Sequence, residues 1–351
     1  MAYTNIDDPS AHFQIALHSS ANAATITNDG NSDLQPDLIW SKARGAAHNH
    51  GLYDSTRGVT KFLSSNATSA ETTASSGFDL TSFNTDGFST GNNQYNTICG
   101  GTTYVAWQWK ANGGTTSSNT EGNVTNTLQV NQDAGFSISK FTSILSGNTT
   151  IGHGLGVTPD VFIVKIASGT GGWWMNHKGL TNQSDRYVGL HSTQAETTFS
   201  WGAAPTSTLI TAAPAFIGNG ITTVICYAFA EKQGYSKFGS YVGNGNADGP
   251  FVYTGFKPAF VMIKPNVAGR NWQIIDNTRD PHNAMDRWLQ PNLSASEFDG
   301  STASVYMDFL SNGFKLRTDN VSWNQSGQTI IYMAFAENPF VTSTGIPTTA
   351  R

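Results

Sequence analysis

The chain has 351 residues, a net charge of −5, and only 12% charged residues against 11% aromatics. That balance excludes a charge-rich disordered chain, and the absence of a Lys/Arg cluster excludes the basic face that nucleic acid requires. No apolar run approaches the ~20 residues that cross a bilayer, and Met-Ala-Tyr-Thr-Asn-Ile-Asp-Asp at the start has no basic-then-apolar leader. The expectation is a soluble protein without a cleavable export signal.

In chain order, Phe13-Gln-Ile-Ala-Leu-His-Ser-Ser alternates and predicts a strand with one wet face. Pro36-Asp-Leu-Ile-Trp-Ser-Lys42 is a short apolar run, as expected of a strand buried on both faces, with the lysine marking its solvated end. Gly51-Leu-Tyr-Asp54-Ser-Thr-Arg57 predicts a strand running into a polar turn. An Ala/Ser/Thr turn ending at Glu71 and a turn at Asp86-Gly-Phe88 follow. In Tyr104-Val-Ala-Trp-Gln-Trp109, Val105, Trp107 and Trp109 share one face while Ala106 and Gln108 share the other. Residues 112–133, rich in Gly, Ser, Thr and Asn, read as a flexible linker.

The same order is then written twice more. Pro159-Asp-Val-Phe-Ile-Val-Lys165 and Pro258-Ala-Phe-Val-Met-Ile-Lys264 repeat the first apolar run, with the lysine again six positions after the proline. Ile225-Cys-Tyr-Ala-Phe229 and Ile331-Tyr-Met-Ala-Phe335 repeat the closing strand. From proline to last aromatic the distances are 73, 70 and 77 residues. Glu71, Glu196 and Glu297 follow their prolines by 35, 37 and 39 residues. No capped amphipathic stretch of helical length is present. The reading is an all-β chain of three tandem related antiparallel β-sandwich modules, lectin- or jelly-roll-like. Their bounds are 1–111, 134–232 and 233–340, with the linker at 112–133 and a tail at 341–351.

Cys99 and Cys226 fall at different points of the repeat, so they read as free thiols made in a reducing compartment. Asp54 with Glu71 and Asp276 with Glu297 are the carboxylate pairs that glycoside hydrolysis would need. Both pairs recur at one place in the repeat, which favours turn hydrogen bonds and ion pairs over a catalytic site. His48-x-His50 has no third histidine or cysteine beside it and is a weak zinc signal. No phosphate loop, nucleophile elbow or dinucleotide fingerprint occurs. The expectation is no enzyme, no cofactor and no metal. Tryptophans set among Asn, Gln and Asp suit sugar rings, which stack on aromatic faces. Trp173, Trp174, His177, Trp272 and Trp288 are the candidate glycan-binding residues, and Gly171-Gly-Trp-Trp-Met-Asn-His177 departs most from the other modules.

Several segments carry a family likeness. They are Leu52-Tyr-Asp-Ser-Thr-Arg-Gly58, Tyr104-Val-Ala-Trp-Gln-Trp-Lys110, Gly152-His-Gly-Leu-Gly-Val-Thr-Pro-Asp160 and Gly234-Tyr-Ser-Lys-Phe-Gly-Ser-Tyr-Val-Gly-Asn-Gly245. Tyr332-Met-Ala-Phe-Ala-Glu-Asn-Pro-Phe340 and Gly345-Ile-Pro-Thr-Thr-Ala-Arg351 complete them. With these the chain resembles repeat-bearing virion structural proteins of tailed bacteriophages, especially marine ones, often described as tail-fibre-like. The resemblance implies a part of the phage particle surface, made in the host cytoplasm, with other virion proteins and a host envelope glycan or receptor as partners. It implies a homo-oligomer, with a trimer favoured, although three modules in one chain could form a pseudo-threefold monomer. A head decoration or capsid fibre protein is the alternative, and a polysaccharide depolymerase a more distant one.

Overall fold

The computed structural model describes residues 3–301 and 305–348. The last three residues of the tail segment expected at 341–351 lie outside them. Among the described residues the fold is all-β, its strands pair antiparallel, and the helical elements are two one-turn α-helices, Pro214–Ile217 and Val321–Asn324, and a 3-10 turn at Pro9–Ala11.

One strand order recurs three times. In the first module the sheet runs Phe13–His18, Tyr104–Trp109, Leu38–Ala43, Gly51–Asp54, and in the second Phe136–Thr142, Thr223–Phe229, Val161–Ile166, Trp173–His177. In the third it runs Ser236–Val242, Thr329–Pro339, Phe256–Pro265, Gln273–Asp276. The register recurs as well: Leu38, Val161 and Phe260, each two residues after its proline, pair with Trp109, Phe229 and Phe335. The apolar runs are central strands buried on both faces, as their composition predicts. A smaller outer layer covers each sheet. It is built from Ala24–Ile26, Leu80–Phe83 and Phe88–Thr90 in the first module and from Thr149–Gly152 and Leu209–Ala212 in the second. In the third it is Phe251–Tyr253, Met307–Leu310 and Gly313–Leu316.

The other face of each inner sheet packs into one core that all three modules share. Val105, Trp107 and Trp109 enter it together with Ile225, Tyr227, Phe229, Ile331, Met333 and Phe335. Ala106 points instead into the outer layer, so the alternation of the closing strand reads as predicted. At the centre the last aromatics of the three repeats touch: Trp109 and Phe335 at 5.6 Å, Phe229 and Phe335 at 5.9 Å, Trp109 and Phe229 at 6.5 Å between ring centroids. A void of ≈ 20 Å³ remains among these apolar residues. That is at most the room of one water, and apolar walls offer water no partner.

Two expectations are corrected here. Residues 112–133 are not a free linker. Ser117–Asn119 and Asn126–Asn131 extend the second module's inner sheet. At their start, the amides of Ala111, Gly113 and Gly114 donate to the Asp37 carboxylate at 2.7, 2.8 and 2.6 Å. The alternation in Asn126-Thr-Leu-Gln-Val-Asn131 was hidden by the polar residues around it. The repeat lysines are not solvated strand ends either. Lys42, Lys165 and Lys264 are buried on the shared-core side of their strands. Each Nζ donates to the carbonyl of the next residue, at 2.7, 2.8 and 2.6 Å for Ala43, Ile166 and Pro265. Burial lowers all three to about 8.

Candidate functional site

The repeated polar residues meet at the seams between modules. Fourteen positions after each proline stand His50, Trp173 and Trp272. The ring N–H of each donates to a carbonyl of a neighbouring module: His50 Nε2 to Gln290 at 3.1 Å, Trp173 Nε1 to Ser64 at 2.8 Å, Trp272 Nε1 to Gly189 at 3.0 Å. The three acceptors are themselves equivalent, each seven residues before its module's glutamate. Eighteen positions after the prolines stand Asp54, His177 and Asp276. Tyr227 Oη donates to Asp54 at 2.7 Å, Trp107 Nε1 to Asp276 at 2.9 Å, and His177 Nε2 to the Tyr332 carbonyl at 3.0 Å. First meets third, second meets first, third meets second. The contacts are heterologous, and they close a ring within one chain.

The carboxylate pairs are consumed by this ring. Arg57 and Arg279 pair with Asp54 and Asp276 through Nε and the backbone amide, and reach Glu71 and Glu297 at 3.2 and 3.1 Å. Arg44 of the first module clamps Glu297 of the third through two 2.9 Å bonds. Those cations hold Glu297 below the usual carboxylate range in spite of its burial. A general acid needs the opposite shift. Asn266 replaces Arg44 in the third module and donates to Glu196 at 2.7 Å.

Histidines are spent in the same way. His50 Nδ1 accepts the Trp40 indole N–H at 2.9 Å, and His177 Nδ1 accepts the Gly179 amide at 2.9 Å. Burial holds both rings neutral, pushed down to about 3. His50 precedes its strand and does not share a strand face with His48. Among the described residues no group of three or more His, Cys, Asp or Glu is placed to hold a metal. Cys99 and Cys226 are free and buried, and burial raises both thiols.

The candidate glycan residues therefore separate. Trp173, His177 and Trp272 are seam residues with no exposed face. Trp288 is buried too, stacked on Phe298 at 5.3 Å. They are large side chains that fill cores, and a sugar ring cannot reach them. Trp174 alone is half-buried. It turns to the outer face of the second module, with Tyr187 at 5.2 Å and His191 at 5.0 Å, both edge-on. Tyr187 leads to Phe216 at 5.1 Å, and Phe216 to Phe199 at 5.6 Å, whose ring is 47% exposed. Gln194 Nε2 rims this cluster, donating to Thr197 Oγ1 at 2.6 Å. Such a cluster offers an aromatic face beside amide and hydroxyl groups. Sequence reading missed Tyr187 and Phe199. Tyr187 had a signal, because Phe62 and Trp288 hold the matching place in the other modules, one residue before Leu63 and Leu289. A polar surface groove of ≈ 280 Å³ lies elsewhere, along Tyr3–Ile6, Asp133, Lys232 and Gln233.

No curated protein and no solved structure matches the chain. One family model does, described as a domain of unknown function (DUF7483), over residues 8–339. That span takes in all three inner sheets and every seam contact described above, and the chain belongs to this family.

Proposed function

We propose that the chain is a structural protein of a tailed-phage particle, exposed and tail-associated, that contributes to host attachment by weak contacts with envelope glycans. The observation that carries the binding half is the aromatic cluster of Trp174, Tyr187 and Phe199, open to solvent beside Gln194 and Thr197. Support for the particle half is the resemblance of the repeat motifs to phage virion proteins. The commitment of the repeated carboxylates, histidines and lysines to internal contacts favours a scaffold over a catalyst. Many copies on one particle would multiply weak single sites by avidity.

Imaging of intact particles at a resolution that places the chain tests the location. Density at the tail is expected; density on the head shell would replace this reading with a decoration protein. A glycan array probed with the intact chain and with Phe199→Ala and Trp174→Ala tests the binding. Signal lost in the variants supports the cluster as the site, and signal unchanged in both removes it.

A further inference from the structure

The third module carries a second aromatic face, and it leads into the polar groove beside Tyr3. On the edge strand of its outer sheet, Phe251–Tyr253, Val252 turns into the module's own core. Phe251 and Tyr253 turn to solvent, 45% and 53% exposed. Alternate residues of a strand share a face about 7 Å apart, so the two rings form a row. Its geometry is fixed. A Cβ on Gly313, which pairs with Tyr253, would meet the Phe251 ring at 3.0 Å, so that ring lies over the glycine. Tyr253 Oη is 3.1 Å from Tyr3 Oη, which donates to the Gly255 carbonyl at 2.9 Å. Gly255 has φ +84, and a Cβ there would meet Tyr3 Oη at 2.8 Å, so only glycine leaves room for the hydroxyl pair. Rings held this way lose little freedom when a ligand stacks on them.

Tyr3 also begins the wall of the ≈ 280 Å³ groove. The strap that forms this wall is pinned. Thr4 Oγ1 donates to the Gln233 carbonyl at 2.8 Å and accepts the Ile6 amide at 3.0 Å, and Ile6 is buried in the shared core. The facing wall is the junction of the second and third modules. There a Cβ on Gly135 would meet Lys232 Cε at 3.1 Å, so the lysine stem lies over that glycine. The polar side chains of the groove are unspent. Among the described residues Lys232 and Asp133 are in no salt bridge, and the side-chain amides of Asn5 and Gln233 have no hydrogen-bond partner. Glu231, one residue before Lys232, is by contrast held by Lys178 and Lys237.

One ammonium and one carboxylate leave the groove lining without net charge, so it does not select an ion. With the two amides they supply donors and acceptors side by side, and neighbouring sugar hydroxyls use both. The volume is near the small end of ligand pockets, about 300 Å³, which suits a single ring. Sugar rings that follow would meet aromatic faces at Tyr3, Tyr253 and Phe251. We propose that this surface is a second saccharide site, in which the groove takes the end ring of a neutral oligosaccharide and the aromatic row stacks on the next rings. It is separate from the Trp174 cluster and stands whether or not that cluster binds.

The test is isothermal titration of the full chain with cellohexaose, laminarihexaose, maltohexaose and mannohexaose, and with hexagalacturonate as the acidic comparison. At least one neutral hexasaccharide is expected to bind, and more tightly than hexagalacturonate. Phe251→Ala and Asp133→Asn should each weaken it at least tenfold, with an unchanged melting temperature, while Trp174→Ala leaves it as it is. Lys232→Met keeps the stem over Gly135 and loses the ammonium, so it should weaken binding likewise, and it decides if Phe251→Ala misfolds. No binding of any neutral hexasaccharide at millimolar concentration overturns the proposal. So does binding that survives both Asp133→Asn and Lys232→Met, or binding that Trp174→Ala abolishes, which would assign it to the other cluster.

Discussion

Lowering the pH from 7.5 to 4.5 is expected to unlatch the ring through His50 and His177. Each histidine joins two modules as a neutral ring, Nε2–H donating to Gln290 or Tyr332 and Nδ1 accepting from Trp40 or Gly179. A second proton would have to sit on Nδ1, facing an N–H that already points at it. Lys42 and Arg279 oppose charge on His50, and Lys178 opposes it on His177. Folding lowers both rings from 6.5 to about 3. For a base lowered on folding, the unfolded chain takes up the proton first. The stability is thus whole above 6.5 and is lost as pH falls from there toward 3. At pH 4.5 the unfolded rings are about two units below their pKa, which costs about 2.7 kcal/mol each and roughly 5 kcal/mol together. Against a typical total of about 5–15 kcal/mol, that is a large fraction. Urea unfolding at half-unit pH steps measures it. A stability that is flat between pH 6.5 and 4.5, or a slope that His50→Gln with His177→Gln leaves unchanged, refutes the reasoning.

Other consequences follow from the same contacts. Trp109→Ala empties the meeting point of the three repeats and should cost about 3–5 kcal/mol, read by chemical denaturation as a fall in the midpoint with an unchanged slope. Arg279→Leu leaves the buried Asp276 carboxylate without its cation, while Glu297 keeps Arg44, and should cost about 3–5 kcal/mol, whereas Lys61→Ala, at the exposed rim of the Glu71 pair, should cost under about 1 kcal/mol. Cys99 and Cys226 should resist a thiol reagent in native buffer and react on unfolding, because burial keeps them protonated and covered; fast labelling of the native chain would contradict their placement.

Much of the architecture could be read from residue order. Proline-to-lysine runs, closing aromatic strands and their alternation mark the central strands and the faces they turn inward, because a period of two is imposed by the pleat itself. What the sequence concealed was which polar residues are wet. Lys42, Lys165 and Lys264 share the parity of core residues such as Trp40, Ile163 and Met262, and that parity places them inside, but a charge at the end of an apolar run suggests the opposite. Trp173 and Trp272 looked like binding residues because they sit among polar neighbours. Those neighbours face a second module, and only tertiary structure creates that environment. The equivalence of His50 with the two tryptophans is visible in the spacing, yet chemically unlike residues conceal it. The same concealment hid Asn126–Asn131, whose polar alternation resembles a linker until a neighbouring strand edge gives it a partner.

Three sandwiches close into one ring around one core, so no module should be stable apart from its neighbours. Differential scanning calorimetry of the full chain tests it most directly. A single transition whose calorimetric enthalpy equals the van't Hoff enthalpy is expected. Two or three resolved transitions, each with the enthalpy of a module-sized unit, would contradict it.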